Sequence, residues 1–206
     1  MNASDSDTIV AIATAAGEGA IGIIRLSGSR AVSISTRCFR GRQPLDQLPA
    51  RTLSYGHFYN QGQNLDEILA AVMYAPHSYT GEDTVEFNCH GGPFLLRRFL
   101  DMLVREGARH ALPGEFTKRA FLNGRIDLSQ AEAVADMISA KSDFGLKSAY
   151  FQLRGGLRTR FESMSESLRH AAMLLEAGLD FSEDVEIDLT TIVPSINEAL
   201  SLIENL

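Results

Sequence analysis

A change of apolar period near Pro113 divides this chain into two kinds of sequence. Before it, short runs rich in Ile, Val and aromatic residues alternate with small or polar partners; after it, every apolar recurrence follows a helical step. Thr8–Ala13 and Ala20–Ser27 read as strands joined by a glycine-rich turn, and Ser29–Phe39 reads as a helix with Ser29 as its cap, Pro44 ending the region. Thr52–Tyr59 places Leu53, Tyr55, His57 and Tyr59 on one side, a strand pattern. Asn60-Gln61-Gly62 has turn chemistry, and Ile68–Tyr74 reads as the returning strand. Thr84–Cys89 puts Val85, Phe87 and Cys89 on one face and Glu86 and Asn88 on the other. Pro93 then opens a helix whose Leu96, Phe99/Leu100 and Leu103 form one stripe, stopped at Gly107. Strands interleaved with helices, with at least one hairpin, predict an α+β domain over residues 1–118 and an all-α portion over 119–206.

In the second portion Asp127-Leu128-Ser129-Gln130 resembles a capping box, with Gln130 three residues beyond the cap. Leu153, Leu157, Phe161, Met164, Leu168, Ala172, Leu175 and Leu179 recur at steps of three and four, the spacing of a seam that packs on another helix. A single helix from Asp143 to Gly178 would be about 54 Å long, and Gly155-Gly156 marks where it would kink or break. Leu189, Ile192/Val193, Ile196, Leu200 and Ile203 mark a last helix, in which Pro194 is expected near the first turn. Its last turn carries Glu204 and no basic residue, against the helix dipole, so the chain reads as a fragment cut at a domain boundary.

Charge excludes some functions. The net charge is −7, from 19 basic and 26 acidic residues. Residues 1–118 hold 11 Lys/Arg and 12 Asp/Glu, whereas residues 119–206 hold 8 and 14, six of the acids crowding residues 176–188. Such a balance is not that of a general phosphate-backbone binder, so a basic RNA surface is not evident in the sequence. No apolar run approaches the roughly 20 residues that span a bilayer. The polar, acidic start lacks the pattern of a secretion signal, and Cys38 and Cys89 read as reduced cytosolic thiols.

Four motifs each have a structural reading. Gly17-Glu18-Gly19-Ala20-Ile21-Gly22 fits G-x-G-x-x-G, but Ile23-Ile24-Arg25-Leu26 follows it as a strand, where a dinucleotide site needs a helix N-terminus. No G-x-x-x-x-G-K-[ST] occurs in the chain, which excludes P-loop GTPase or ATPase chemistry within these 206 residues. Cys89-His90-Gly91-Gly92 reads as a strand end turning through glycines with Cys89 in the core; two cysteines and five scattered histidines do not make a zinc site. Thr80-Gly81-Glu82-Asp83 and Glu86 gather three carboxylates, either a capped, solvated turn or a ligand contact through Glu86, since a carboxylate accepts two parallel N–H donors of a pterin-like ring. Pro113–Arg125 packs glycines, aromatics and bases together and by composition alone reads as a linker with a solvated basic helix.

That last block, Pro113-Gly114-Glu115-Phe116-Thr117-Lys118-Arg119-Ala120-Phe121-Leu122-Asn123-Gly124-Arg125, continued through Ile138, closely resembles the tRNA-modifying GTPase family MnmE (TrmE). Asp7–Ala11, Gly22–Gly28, Ser78–Asp83 and His90–Pro93 match the same family in the same order. The resemblance implies an N-terminal folate-binding domain similar to that of aminomethyltransferases, then the first part of a helical domain that an inserted GTPase domain interrupts. It also implies homodimers formed through the N-terminal domain and a flavoprotein partner, MnmG (GidA). With that partner the family builds a carboxymethylaminomethyl or aminomethyl group at C5 of the wobble uridine of tRNAs, in the cytoplasm. A tetrahydrofolate derivative, in its 5-formyl or 5,10-methylene form, is the implied cofactor; GTP, magnesium and potassium belong to the GTPase domain that this sequence lacks.

Carried over position by position, the family's folate contacts fall on Arg25, Glu86 and Arg125, with no catalytic and no metal-binding residue assigned. Glu86 would accept the pterin N–H donors, and Arg25 and Arg125 would meet the polar rim or carboxylate tail of the folate. The family often has lysine where Arg125 stands, and its C-terminal Cys-x-Gly-Lys end is absent. Two other readings predict different behaviour: a stand-alone folate-dependent one-carbon transferase would turn over a small molecule by itself, and a purely structural dimerisation module would bind no folate.

Overall fold

The structure, a computed structural model, describes residues 7–60, 62–180 and 189–204. They divide into two compact units, Met1–Ile126 and Asp127–Leu206. The residues outside these spans include Gln61 of the expected turn and 181–188 of the acidic stretch.

The first unit is built on a seven-stranded mixed sheet. Strands β1 (Ile9–Ile12), β2 (Gly19–Ser27), β3 (Phe39–Gly41), β4 (Leu53–Asn60), β5 (Gln63–Met73), β6 (Thr84–Gly91) and β7 (Arg109–His110) stand in the order β3-β4-β5-β6-β2-β1-β7. Only the β1–β7 pair is parallel. Of the G-x-G-x-x-G glycines Gly17 precedes β2 while Gly19 and Gly22 lie within it, and the strand returns antiparallel along β1 with Ile12 opposite Ile24. Helices α1 (Ala31–Cys38) and α2 (Pro93–Arg105) pack on the sheet, and α3 (Glu115–Leu122) follows β7.

Alternation along the strands decides which face is covered. Ile24, Leu26, Ile68, Ala70, Val72, Val85, Phe87 and Cys89 are buried in the core with Ile34 of α1 and Leu96, Phe99 and Leu103 of α2. Phe58 stacks on Phe99 at 3.9 Å between ring centroids and meets Phe87 edge-on at 5.4 Å. Ile21, Leu53, Tyr55 and Leu69, at the intervening positions, are exposed on the opposite face.

Two local expectations change. Ser29 does not cap α1; the helix starts at Ala31 with Arg30 at the cap position, and the Thr8 hydroxyl accepts from the Arg30 amide at 3.0 Å. Thr8, the residue before β1, thus satisfies the backbone amide of the cap residue itself, and no side chain caps the first turn of α1. The Pro113–Arg125 block is not a solvated linker: α3 buries Glu115, Arg119 and Ala120, and the first unit runs past 118 to Ile126.

The second unit is helical: α4 (Leu128–Ser139), α5 (Asp143–Leu153), α6 (Gly156–Asp180) and α7 (Leu189–Glu204). Asp127 accepts from the Gln130 amide while the Gln130 side chain accepts from the Asp127 amide, a complete capping box. The long helix breaks at Gly155, whose φ of +80° is costly for any residue with a Cβ. The expected apolar seam is not the packed stripe. Phe161, Leu168, Leu175 and Leu179 are exposed, whereas α6 and α7 are in contact and bury Ala171 on the one and Ile192 and Ala199 on the other. Pro194 lies inside α7, beyond its first turn. No helix among the described residues is long and apolar enough to cross a membrane.

Candidate functional site

Arg25 and Glu86 are direct cross-strand partners on the central strands β2 and β6. Their neighbours Ile24, Leu26, Val85 and Phe87 point into the helix-covered core, so alternation turns both charged side chains to the opposite face. Arg25 Nε donates to Glu86 Oε1 at 2.6 Å, with both side chains about three-quarters covered. The Arg25 guanidinium carbon stands 5.6 Å from the ring centroid of Tyr79 and 5.6 Å from that of Phe116. Cation and carboxylate are thus held beside two aromatic faces, an arrangement suited to a flat, polar-edged ring.

The loop between β5 and β6 supplies Tyr79 and ties in the third expected residue. Arg125 Nε donates to the Ser78 carbonyl at 3.1 Å, and Asn123 donates to the Thr80 carbonyl at 2.7 Å. The Tyr79 hydroxyl lies 2.9 Å from that of Thr117 on α3. The structure therefore pairs Arg25 with Glu86 and attaches Arg125 to the residue preceding Tyr79, without an ion pair between Arg125 and Glu86. The three carboxylates of the Thr80–Glu86 segment separate: Glu82 accepts from Ser27 at 2.6 Å and from Arg119, Asp83 accepts from the Ala75 amide at 2.9 Å, and only Glu86 faces Arg25.

Beneath α3 lies a network that joins acidic and basic residues from distant motif blocks. Arg119, 5% exposed, donates to Asp7, Glu82 and Glu115, and Arg109 bridges Asp7 and Glu115. The hydrogen bond from Arg109 holds the Glu115 carboxyl at about 2, against the opposing effect of burial, with the Leu112 amide and Arg119 assisting. Asp7 is lowered as well, chiefly by the Arg109 hydrogen bond. The network fixes α3, and hence Phe116 and Thr117, against the loop that carries Tyr79. Conspicuous spacing offers no signal for it, because Asp7, Glu82, Arg109, Glu115 and Arg119 come from four separate segments.

Cys89 takes the core position read for it: it is 4% exposed, its thiol lies 3.2 Å from the Gly22 carbonyl, and burial followed by the Asp66 charge pushes it up to about 12. His90 Nδ1 lies 2.6 Å from Asp66 Oδ1. Among the described residues no three His, Cys, Asp or Glu side chains gather for a metal ion.

A family model described as GTP-binding protein TrmE N-terminus matches residues 8–125, and one described as MnmE helical domain matches residues 128–206. The tRNA modification GTPase MnmE of Syntrophus aciditrophicus is 48% identical over 202 residues, covering 97% of this chain and 43% of the relative. Those of Symbiobacterium thermophilum and Enterococcus faecalis are each 50% identical, over 188 and 190 residues, covering 90% of this chain and 41% of each relative. The chain thus spans less than half the length of these curated relatives. Matched by both family models, and nearly half identical to these relatives along almost all its length, the chain belongs to the MnmE (TrmE) family.

Proposed function

We propose that this chain is the folate-binding and dimerising portion of a GTPase that, with the flavoprotein MnmG, builds the carboxymethylaminomethyl or aminomethyl group at C5 of the tRNA wobble uridine. The observation that carries the reading is the Arg25–Glu86 pair flanked by Tyr79 and Phe116, with Arg125 on the adjoining loop. These residues fit a reduced folate. The Glu86 carboxylate offers acceptor capacity to ring N–H donors, the aromatic rings offer apolar faces, and the two arginines offer partners for carboxylates. When bound, a tetrahydrofolate would supply a one-carbon unit; the chain's own residues bind and orient it. GTP hydrolysis, with its magnesium and potassium, is assigned to the portion of the family that this sequence does not span, since no P-loop occurs in residues 1–206.

The open face of the sheet supports the dimer. Ile21, Tyr55 and Leu69 line a groove of about 350 Å³, and Ile21 is 65% and Tyr55 56% exposed. Apolar side chains gathered on one sheet face are the composition of an interface centre rather than of a solvated surface.

Titration calorimetry with 5-formyltetrahydrofolate tests the site. The native chain is expected to bind and Glu86→Ala to lose at least tenfold in affinity; equal affinity for both removes the site assignment. Turnover of a small-molecule acceptor by the chain alone would replace this reading with that of a stand-alone transferase.

A further inference from the structure

We propose that the outer surface of the α1/α2 layer binds the phosphate backbone of an RNA, centred on a small cleft whose polar lining is Arg37, Tyr59, Asn60, Arg105 and Glu106, the last ion-paired to Arg37. The inference rests on the tRNA-modification reading only for the identity of the polyanion.

In a chain of net charge −7, this layer is locally basic. Residues 30–48 and 93–106 carry Arg30, Arg37, Arg40, Arg42, Arg97, Arg98 and Arg105, all exposed, against Asp46, Asp101 and Glu106. All the basic residues here are arginine, whose planar fork of donors matches phosphate oxygens two at a time. The fold gathers them from two distant segments. Arg37 donates through Nε to the Glu106 carboxylate and from its terminal nitrogen to the Glu106 carbonyl at 2.6 Å, locking α1 to the end of α2. That pairing neutralises Glu106 and holds the Arg37 guanidinium at the cleft mouth beside Arg105. The Arg40 guanidinium carbon stacks 4.3 Å above the ring of Tyr59, a residue of the cleft lining. Arg98 stands two turns before Arg105 on the same side of α2, about 10 Å along the axis. Arg30 reaches the turn after α2 at Gly107.

Arg42, Arg97, Arg98 and Arg105 make no hydrogen bond or ion pair among the described residues. Their charges therefore stay available to a ligand. The cleft, about 170 Å³, is smaller than the pockets of roughly 300 Å³ and more that enclose drug-sized ligands. It suits a phosphate group, with the flanking arginines following neighbouring phosphates along the strand. An extended row of single positive charges with one small polar notch is the footprint of backbone binding, not of base readout.

The test is fluorescence anisotropy with an unmodified tRNA transcript, titrated against the native chain over a range of KCl concentrations. The double variant Arg98→Glu/Arg105→Glu keeps the Arg37–Glu106 ion pair that supports the fold. It is expected to bind at least tenfold more weakly than the native chain at low salt. Its slope of log affinity against log salt is expected to fall by about two, one for each phosphate no longer neutralised. Lys141→Glu/Lys147→Glu, an equal charge change in the helical unit, is expected to leave tRNA affinity within about twofold. Three results would overturn the proposal: no salt-dependent tRNA binding by the native chain, equal loss in the lysine control, or displacement of tRNA by polyglutamate as effective as by unlabelled tRNA. The last would indicate an acidic protein. The arginine variant should bind 5-formyltetrahydrofolate as the native chain does. A native chain that binds folate but not tRNA therefore sinks this inference alone, and arginine-dependent RNA binding without folate binding sinks the folate site alone.

Discussion

Arg119 is the residue on which the scaffold of the candidate site most depends. It is buried among three carboxylates, and their attraction outweighs the desolvation that opposes its charge. Removing it leaves Asp7, Glu82 and Glu115 short of a partner, so Arg119→Ala is expected to destabilise the first unit by about 3–5 kcal/mol, read from the urea midpoint at constant slope. The same network sets an acid limit. Glu115 titrates near 2 in the folded chain and at 4.5 ordinarily, so its contribution is complete above 4.5 and lost as pH falls towards 2. Asp7, also lowered, acts in the same direction. Thermal stability is therefore expected to drop between about pH 4.5 and pH 2, and Glu115→Gln should flatten that drop while lowering stability at neutral pH. Circular dichroism melts across this range check both.

Among elements, the β2–β6 pair positions the candidate site, and its registry depends on a close approach. A Cβ on Gly91 would collide with the backbone carbonyl of Gly19, which no side-chain movement can relieve. Gly91→Ala is expected to cost about 1–3 kcal/mol and to weaken folate binding by shifting Glu86 against Arg25, a loss that calorimetry would detect. The helical unit relies on local signals. Its capping box joins Asp127 and Gln130 within one turn, and its break falls at a glycine. Strand and helix periods in β2, β4, β6 and α2 are legible because one face of each is more buried than the other, whereas β1, buried at both Ile9 and Val10, is legible only as a β-branched run. The two-residue β7 and the three-residue β3 are not, since so short an element carries no period and exists only through its neighbour. The α6 seam misleads for a related reason: apolar spacing shows that a helix has a greasy side, but not which of its residues a neighbour covers, and here Ala171 is buried while Phe161 and Leu168 are exposed.

Across the whole molecule, Arg25, Glu86 and Arg125 all fall within the unit that ends at Ile126. The open sheet face of that same unit carries the exposed Tyr55 and Leu69. Introducing Tyr55→Glu and Leu69→Glu there is expected to shift the sedimentation of the full chain to that of a monomer, which analytical ultracentrifugation would establish. The mean charge is a poor guide at this scale. A net of −7 points away from nucleic acid, yet folding sorts the arginines of two segments onto the α1/α2 layer.

By itself the sequence determined the α+β character of the first part, the helical character of the second, the break at Gly155, the capping box at Asp127 and the family, because each rests on local periodicity, backbone preference or contiguous motifs. Only the tertiary structure decided what depends on distance in space. It set Tyr79 and Phe116 beside Arg25, Arg119 among three carboxylates, α3 within the first unit and Arg37 with Arg105 around one cleft. These partners lie in different segments of the chain, and the strength of a charge or ring contact is set by separation and burial, which have no local sequence signature.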